Sequence, residues 1–242
     1  EGPSINGTRK VLGWMTEQGE TLDACIVGEP TNPGVLGEMV KIGRRGSLSG
    51  FLTVHGTQGH TAYPHLADNP LPRLIAMLAA ISGEKLDDGT DHFQPSNLQL
   101  TTIDVDNTAT NIIPGGAKAT FNVRFNDLHT SDSLEAWLRS RFDAVGGEYE
   151  VEFQRTGEAF LTPPGTLSDL LSSAIKAGTG QTADLSTTGG TSDARFIKDF
   201  CPVAEFGLIS QSMHKTDERV ALSDLAKLTD IYEAVLDGYF AG

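Results

Sequence analysis

Six patterned stretches in a fixed order constrain the fold of this chain more than any other feature. Residues 47–55, 98–105, 118–126 and 149–154 alternate apolar and polar side chains, as half-buried strands do. In 47–55, Leu48, Gly50, Leu52 and Val54 share one face, and Ser49, Phe51, Thr53 and His55 the other. Two runs of helical period interleave. Residues 69–81 place Leu71, Leu74, Ile75, Leu78 and Ile81 on one face, with Pro72 in the first turn. Residues 131–145 do the same with Leu134, Trp137, Leu138, Phe142 and Val145, and open on a serine- and aspartate-rich start suited to capping. The order strand-helix-strand-strand-helix-strand predicts a ferredoxin-like α+β unit: a four-stranded antiparallel sheet with two helices on one face. The open face or outer strand of such a sheet is a place for a second copy to pair. The polar stretch 84–96 is expected to be a loop.

The flanks read as α/β. A helix is expected after Ser4, Asn6 and Thr8, with Val11, Leu12, Trp14 and Met15 at helical spacing. Strands are expected at 21–28, 37–43 and 202–207. Helices are expected at 166–177, 194–200 and 222–240, the last with Leu225, Leu228, Ile231, Tyr232, Val235 and Leu236 inward. The domain organisation follows: 1–46 and 158–242 form one α/β domain, and 47–157 is inserted into it.

The formal net charge of −14 argues against nucleic acid and against anionic membrane surfaces as partners. An anionic small molecule must then be captured by local cations, and Lys41, Arg44, Arg45 and Arg124 are the candidates. No apolar run approaches the roughly 20 residues that span a bilayer, and no leader-like segment opens the chain. Cys25 and Cys201 lie far apart in apolar runs and build no four-cysteine metal site. Reduced thiols and a cytoplasmic location fit them.

The densest chemistry lies between residues 41 and 70. Arg44 and Arg45 sit between Gly43 and Gly46, where small neighbours let guanidinium forks approach a carboxylate. Gly56 and Gly59 bracket a turn that presents His60, followed by Tyr63. Glu29 opens a loop at the end of an expected strand, the edge at which open α/β sheets bind ligands. His214 stands in another polar loop. Residues 187–193 form a glycine- and hydroxyl-rich loop running into a helix, a junction whose N–H groups attract anions. Taken singly, each of these residues is as ordinary as any exposed charge or loop position.

In combination they carry a resemblance. VGEPT at 27–31, KIGRRGSL at 41–48, GTQGHTAYPHLADNP at 56–70, TNIIPG at 110–115, FNVRF at 121–125, TTGGTSDARF at 187–196 and MHKTDE at 213–218 together resemble the dinuclear zinc aminoacylase and carboxypeptidase family. The match runs over essentially the whole chain in order. The resemblance implies a partial zinc-peptidase-like catalytic domain, the insert being its dimerisation (lid) domain and the basis of a homodimer. It implies two zinc ions, with cobalt as a possible substitute: Glu29 for one, His214 and Glu1 for the other. It implies that His60 reaches a partner subunit's site and stabilises an oxyanion. It implies that Arg44, Ser47, Tyr63, Asn111, Arg124, Gly190 and Thr191 hold the substrate's carboxylates and amide. The implied reaction is hydrolysis of an N-succinylated diamino acid of bacterial lysine biosynthesis, a substrate of about −2 charge.

The family's first histidine ligand, its bridging aspartate and its general base would all precede Glu1. The chain is therefore expected to lack an N-terminal part and to be inactive alone. A sibling deacetylase acting on acetylornithine is the nearest alternative, against which the paired Arg44-Arg45 speaks. A non-catalytic dimerisation or binding module is the other.

Overall fold

The computed structural model describes residues 6–241. Its elements run in order: α1 (Thr8–Gln18), β1 (Cys25–Val27), β2 (Met39–Lys41), β3 (Gly43–Arg44), β4 (Gly46–His55), β5 (Gly59–His60), α2 (Pro70–Ser82), β6 (Asn97–Asp104), β7 (Ile112–Ile113) and β8 (Gly116–Phe125). Then come α3 (Ser131–Val145), β9 (Tyr149–Gly157), β10 (Phe160–Leu161), α4 (Thr166–Thr179), β11 (Asp184–Ser186), α5 (Ala194–Ile197), β12 (Val203–Glu205) and α6 (Leu222–Ala241). The chain divides into two compact units, one from the residues before 45 and after 159, the other Arg45–Ala159.

In the second unit the sheet order is β6-β8-β4-β9 and every pair is antiparallel. That is the ferredoxin-like order expected from the pattern. Period two explains it directly: Leu48, Leu52 and Val54 of β4 are buried while Phe51 between them is exposed. Their core is closed by Phe121, Val123 and Phe125 of β8, by Leu74, Met77, Leu78 and Ile81 of α2, and by Leu134, Leu138 and Phe142 of α3. Asn69 caps α2 by accepting from the Leu71 N–H at 3.1 Å. The cap of α3 is Thr130, one residue before the expected start; it and Ser133 bond each other's backbone N–H reciprocally. Ile75, expected inward, is 67% exposed, and Met77 takes its place in the core. The 84–96 stretch is a packed loop: Phe93 is buried, and Asp87 accepts from the Gly89 and Ser96 N–H groups and from Asn126 Nδ2. Burial alone would raise the Asp87 carboxyl, but these bonds outweigh it and hold the group down at about 2.

In the first unit a mixed four-stranded sheet has the order β1-β12-β2-β11. Strands β1 and β12 are parallel, as are β11 and β2, while β12 and β2 meet antiparallel at Glu205 and Lys41. Val40, Ile42, Leu171, Ile175, Ala204, Phe206, Ile231 and Val235 form its main core. Leu225 and Leu236 of α6, expected inward, are 46% and 56% exposed. The two-residue strands β3 and β10 pair antiparallel, Arg44 opposite Phe160. The expected strands are shorter than their apolar runs: 21–28 yields only β1, and 202–207 only β12.

Candidate functional site

Of the residues singled out by sequence, Glu29, Arg44, Gly190, Thr191 and His214 lie in the first unit, and Ser47, His60, Tyr63, Asn111 and Arg124 in the second. Glu1 lies outside the described residues.

Parallel pairing of β1 and β12 puts their C-terminal ends side by side. Glu29 follows one end and the 207–214 segment follows the other. The approach is close: a Cβ on Gly207 would overlap the carbonyls of Gly28 and Glu29. Glu29 is half-buried and His214 is exposed with φ of 60°. Carboxylate and imidazole are ligand types that suit a divalent metal such as zinc, which takes four ligands in structural sites and three plus water in catalytic ones. No group of three or more His, Cys, Asp or Glu side chains placed to hold a metal occurs among the described residues.

The glycines around the arginine pair serve packing rather than open access. A Cβ on Gly43 would overlap the Phe160 carbonyl, and one on Gly46 the Phe125 ring. The two arginines then separate in role. Arg44 is buried and its fork is occupied by Glu205: Nε donates to Oε1 at 2.9 Å and Nη2 to Oε2. Its remaining Nη1 donates to the Thr188 carbonyl at 3.3 Å. Arg44 is thus committed inside the sheet instead of offering a free fork.

Arg45 belongs to the second unit and is near enough to Arg124 to feel its charge. Burial, and then the like charge of Arg124, push its guanidinium down from its ordinary range. Its Nε is buried without a hydrogen-bond partner. Arg124 sits opposite Ser47 in the β4–β8 ladder, and Ser47 Oγ accepts from Asn122 Nδ2 at 3.3 Å. Two half-buried cations, one with an unspent donor, leave a local positive charge on an otherwise anionic chain.

His60, Tyr63 and Asn111 are brought together on the β5–β7 ribbon. His60 is opposite Ile112, and the Thr61 N–H donates to the Asn111 carbonyl at 3.0 Å. The Tyr63 ring stands edge-on to His60 with centroids 5.8 Å apart. The Ala62 N–H donates to His60 Nδ1 at 3.0 Å. That bond makes Nδ1 the acceptor, so in the neutral ring Nε2 carries the proton as an outward donor.

Gly190 and Thr191 lie on the 187–193 loop. Gly190 is exposed, with nothing within 4 Å of where its Cβ would be. The helix expected after this loop is the single turn α5, of 4 residues, so a helix dipole contributes little; loop amides remain as donors.

Residues 42–150 match the family model described as a peptidase dimerisation domain. Across its whole length the chain is 62% identical to a succinyl-diaminopimelate desuccinylase of Rhodospirillum centenum, covering 63% of that protein. It is 60% identical to the enzyme of the same name from Parvibaculum lavamentivorans, covering 62% of it. The chain carries a peptidase dimerisation domain and is similar to desuccinylases over its whole length. Solved structures agree in fold. An M20 family metallo-carboxypeptidase of Sulfolobus solfataricus superposes with a TM-score of 0.75 at 14% identity, over 97% of this chain and 67% of that one. The aminopeptidase PepT of Bacillus cereus does so with a TM-score of 0.75 at 16% identity, over 95% and 60%. The chain therefore spans a little under two thirds of the length of the curated relatives it matches.

Two residues have contacts that the sequence does not announce. Glu205 sits within an apolar run, PVAEFG, and its partner is 161 positions away. The only local hint is a carboxylate inside a buried strand. Lys41 stood out as a cation, but its ties to Ser186 and Thr188 have no sequence signature.

Proposed function

We propose that this chain is the substrate-gripping part of a metal-dependent amide hydrolase that releases succinate from N-succinyl-diaminopimelate. The observation that carries the reading is the Arg45–Arg124 pair. Two half-buried guanidiniums near enough to repel each other are relieved when an anion binds to them. An acyl group ending in its own carboxylate supplies that anion; an acetyl group does not. Ser47 beside them and the open amides of Gly190 and Thr191 suit the remaining carboxylates and the amide. Tyr63 and Asn111 are assigned to the same work.

His60 supplies an Nε2–H donor for the oxyanion that develops when water adds to the succinyl carbonyl. The amide C–N bond then breaks, the nitrogen takes a proton, and succinate and the free amine leave. Glu29 and His214 are two donors of a zinc site, and Glu1 is assigned a third. Two zinc ions polarise water and carbonyl when bound. The remaining ligands and the base are assigned to the length that the relatives carry beyond the matched span, so this chain alone is proposed to be inactive. Two copies pair through residues 47–157, where β6 is one of the two edge strands and carries exposed Leu100 and Ile103. Free Cys25 and Cys201 fit a cytoplasmic enzyme.

The test is a chimera in which the R. centenum relative supplies the unmatched length. It is assayed with N-succinyl- and N-acetyl-diaminopimelate, alongside an Arg45→Gln/Arg124→Gln variant. Preference for the succinyl substrate that disappears in the variant supports the reading. Equal use of both acyl groups, or an unchanged KM in the variant, overturns it.

A further inference from the structure

The Thr188–Ser192 loop is held from beneath by three buried charges on three different strands. Lys41 of β2 donates from Nζ to Thr188 Oγ1 at 2.7 Å and to Ser186 Oγ at 3.2 Å. Arg44 of β3 donates to the Thr188 carbonyl. Glu205 of β12 accepts from Ser192 Oγ at 2.5 Å while gripped by Arg44. Lys41 is 6% exposed, Arg44 8% and Glu205 1%. The loop is therefore pinned at Thr188 and at Ser192, and only Gly189, Gly190 and Thr191 stand between the pins. Gly189 adopts φ of 106°, and a Cβ there would come within 2.5 Å of Arg44 Nη1, so the backbone lies directly on the guanidinium.

Folding alone does not call for this arrangement. A buried ion pair is weak evidence for stability, since apolar residues of similar volume often serve as well. What it provides is a loop whose ends are fixed by charge-assisted bonds and whose middle is free to present N–H groups. We propose that Glu205 and Lys41 are positioning residues: with Arg44 they clamp the Thr188–Ser192 loop so that its Gly190 and Thr191 amides form a preset carboxylate cradle. That the cradle holds a carboxylate rests on the desuccinylase reading; that the loop is clamped does not.

The experiment uses the 242-residue chain, backbone amide relaxation resolved by residue, and succinate as the probe. Glu205→Gln should drop the order parameters at 189–192 from rigid (about 0.85) to flexible (below about 0.6) while β2, β11 and β12 keep their amide-exchange protection. It should also weaken succinate binding, read from the shifts of the Gly190 and Thr191 amides, at least tenfold. Ser192→Ala leaves the Arg44–Glu205 pair intact, so it reports the clamp even if Glu205→Gln fails to fold. It should free the same residues, and the double variant should be no more mobile than Glu205→Gln. Lys41→Arg, which keeps a donor and a charge, should restore most of what Lys41→Met loses. Exchange that rises throughout the first unit, or a Ser192→Ala loop as ordered as wild type, overturns the clamp. A clamped loop whose amides ignore succinate overturns the cradle and, with it, the part of the functional reading that assigns them.

Discussion

Arg44 and Glu205 form a two-pronged ion pair within the first unit, Nε on Oε1 at 2.9 Å and Nη2 on Oε2, with the Glu205 side chain 1% exposed. Deleting one partner of such a pair leaves the other charge buried and alone, which costs about 3–5 kcal/mol. Arg44→Met should therefore destabilise the first unit by roughly that amount in urea titrations followed by hydrogen exchange. Arg44→Met/Glu205→Leu should recover most of it. Arg44→Lys should behave more like the methionine variant than like wild type, because a point charge cannot fill both prongs.

Arg45 and Arg124 should show the opposite balance. Their mutual repulsion is relieved when either is neutralised, so Arg45→Met should leave the second unit as stable as wild type or more so. The same change should weaken succinate binding roughly 10- to 100-fold, the value of one charge-assisted hydrogen bond of about 1.5–3 kcal/mol. Calorimetric titration beside a thermal melt reads both. A variant that loses stability and keeps affinity would make the pair structural.

His60 is exposed and makes no core contact, so His60→Ala should change stability by less than about 0.5 kcal/mol. If its Nε2–H serves the oxyanion, kcat of the chimera should fall about 10²- to 10³-fold with little change in KM. A fall in KM-weighted binding alone would reassign the ring to substrate contact.

Lys41 sets a pH dependence of defined sign. Burial first, and then Arg44, push its ammonium from the ordinary 10.5 down to about 8, against the pull of Glu205 and Asp184. Between those values the unfolded chain holds a proton that the folded chain has released. Through this group the first unit gains stability as pH rises from about 8 to 10.5. Subtracting the pH–stability curve of Lys41→Met from that of wild type should expose this rise; a flat difference would place the lysine in water.

The second unit was legible because its signals are local. Alternation in β4 and β8 follows from one buried face, and the helices carry caps beside the residues they cap. The shortest elements of both units hide more. Strands β3, β5, β7 and β10 are two residues each, too short for any period, and exist because a distant partner meets them. Ile75 and Leu236 look inward by spacing, yet apolar residues remain common on surfaces. The candidate site divides the same way. His60, Tyr63 and Asn111 sit near glycine turns or a proline run that can be read directly. The occupation of Arg44 by Glu205 is a contact across 161 positions that no stretch of sequence announces.

The β3–β10 rung has a consequence for how the two units depend on each other. Arg44 stands opposite Phe160 in one ladder, and Ser47 opposite Gly157 in another. The chain therefore leaves and re-enters by adjacent lanes, and to the first unit the whole insert is a single hairpin turn. Were the insert unfolded, closing a loop that long instead of a short turn would cost about 3 kcal/mol, from a cost growing as roughly (3/2)RT ln n. A folded insert delivers its two ends already side by side and removes that charge on the rung. Anything that melts the second unit should thus loosen β3, and with β3 the Arg44 side chain, without touching a residue of the first.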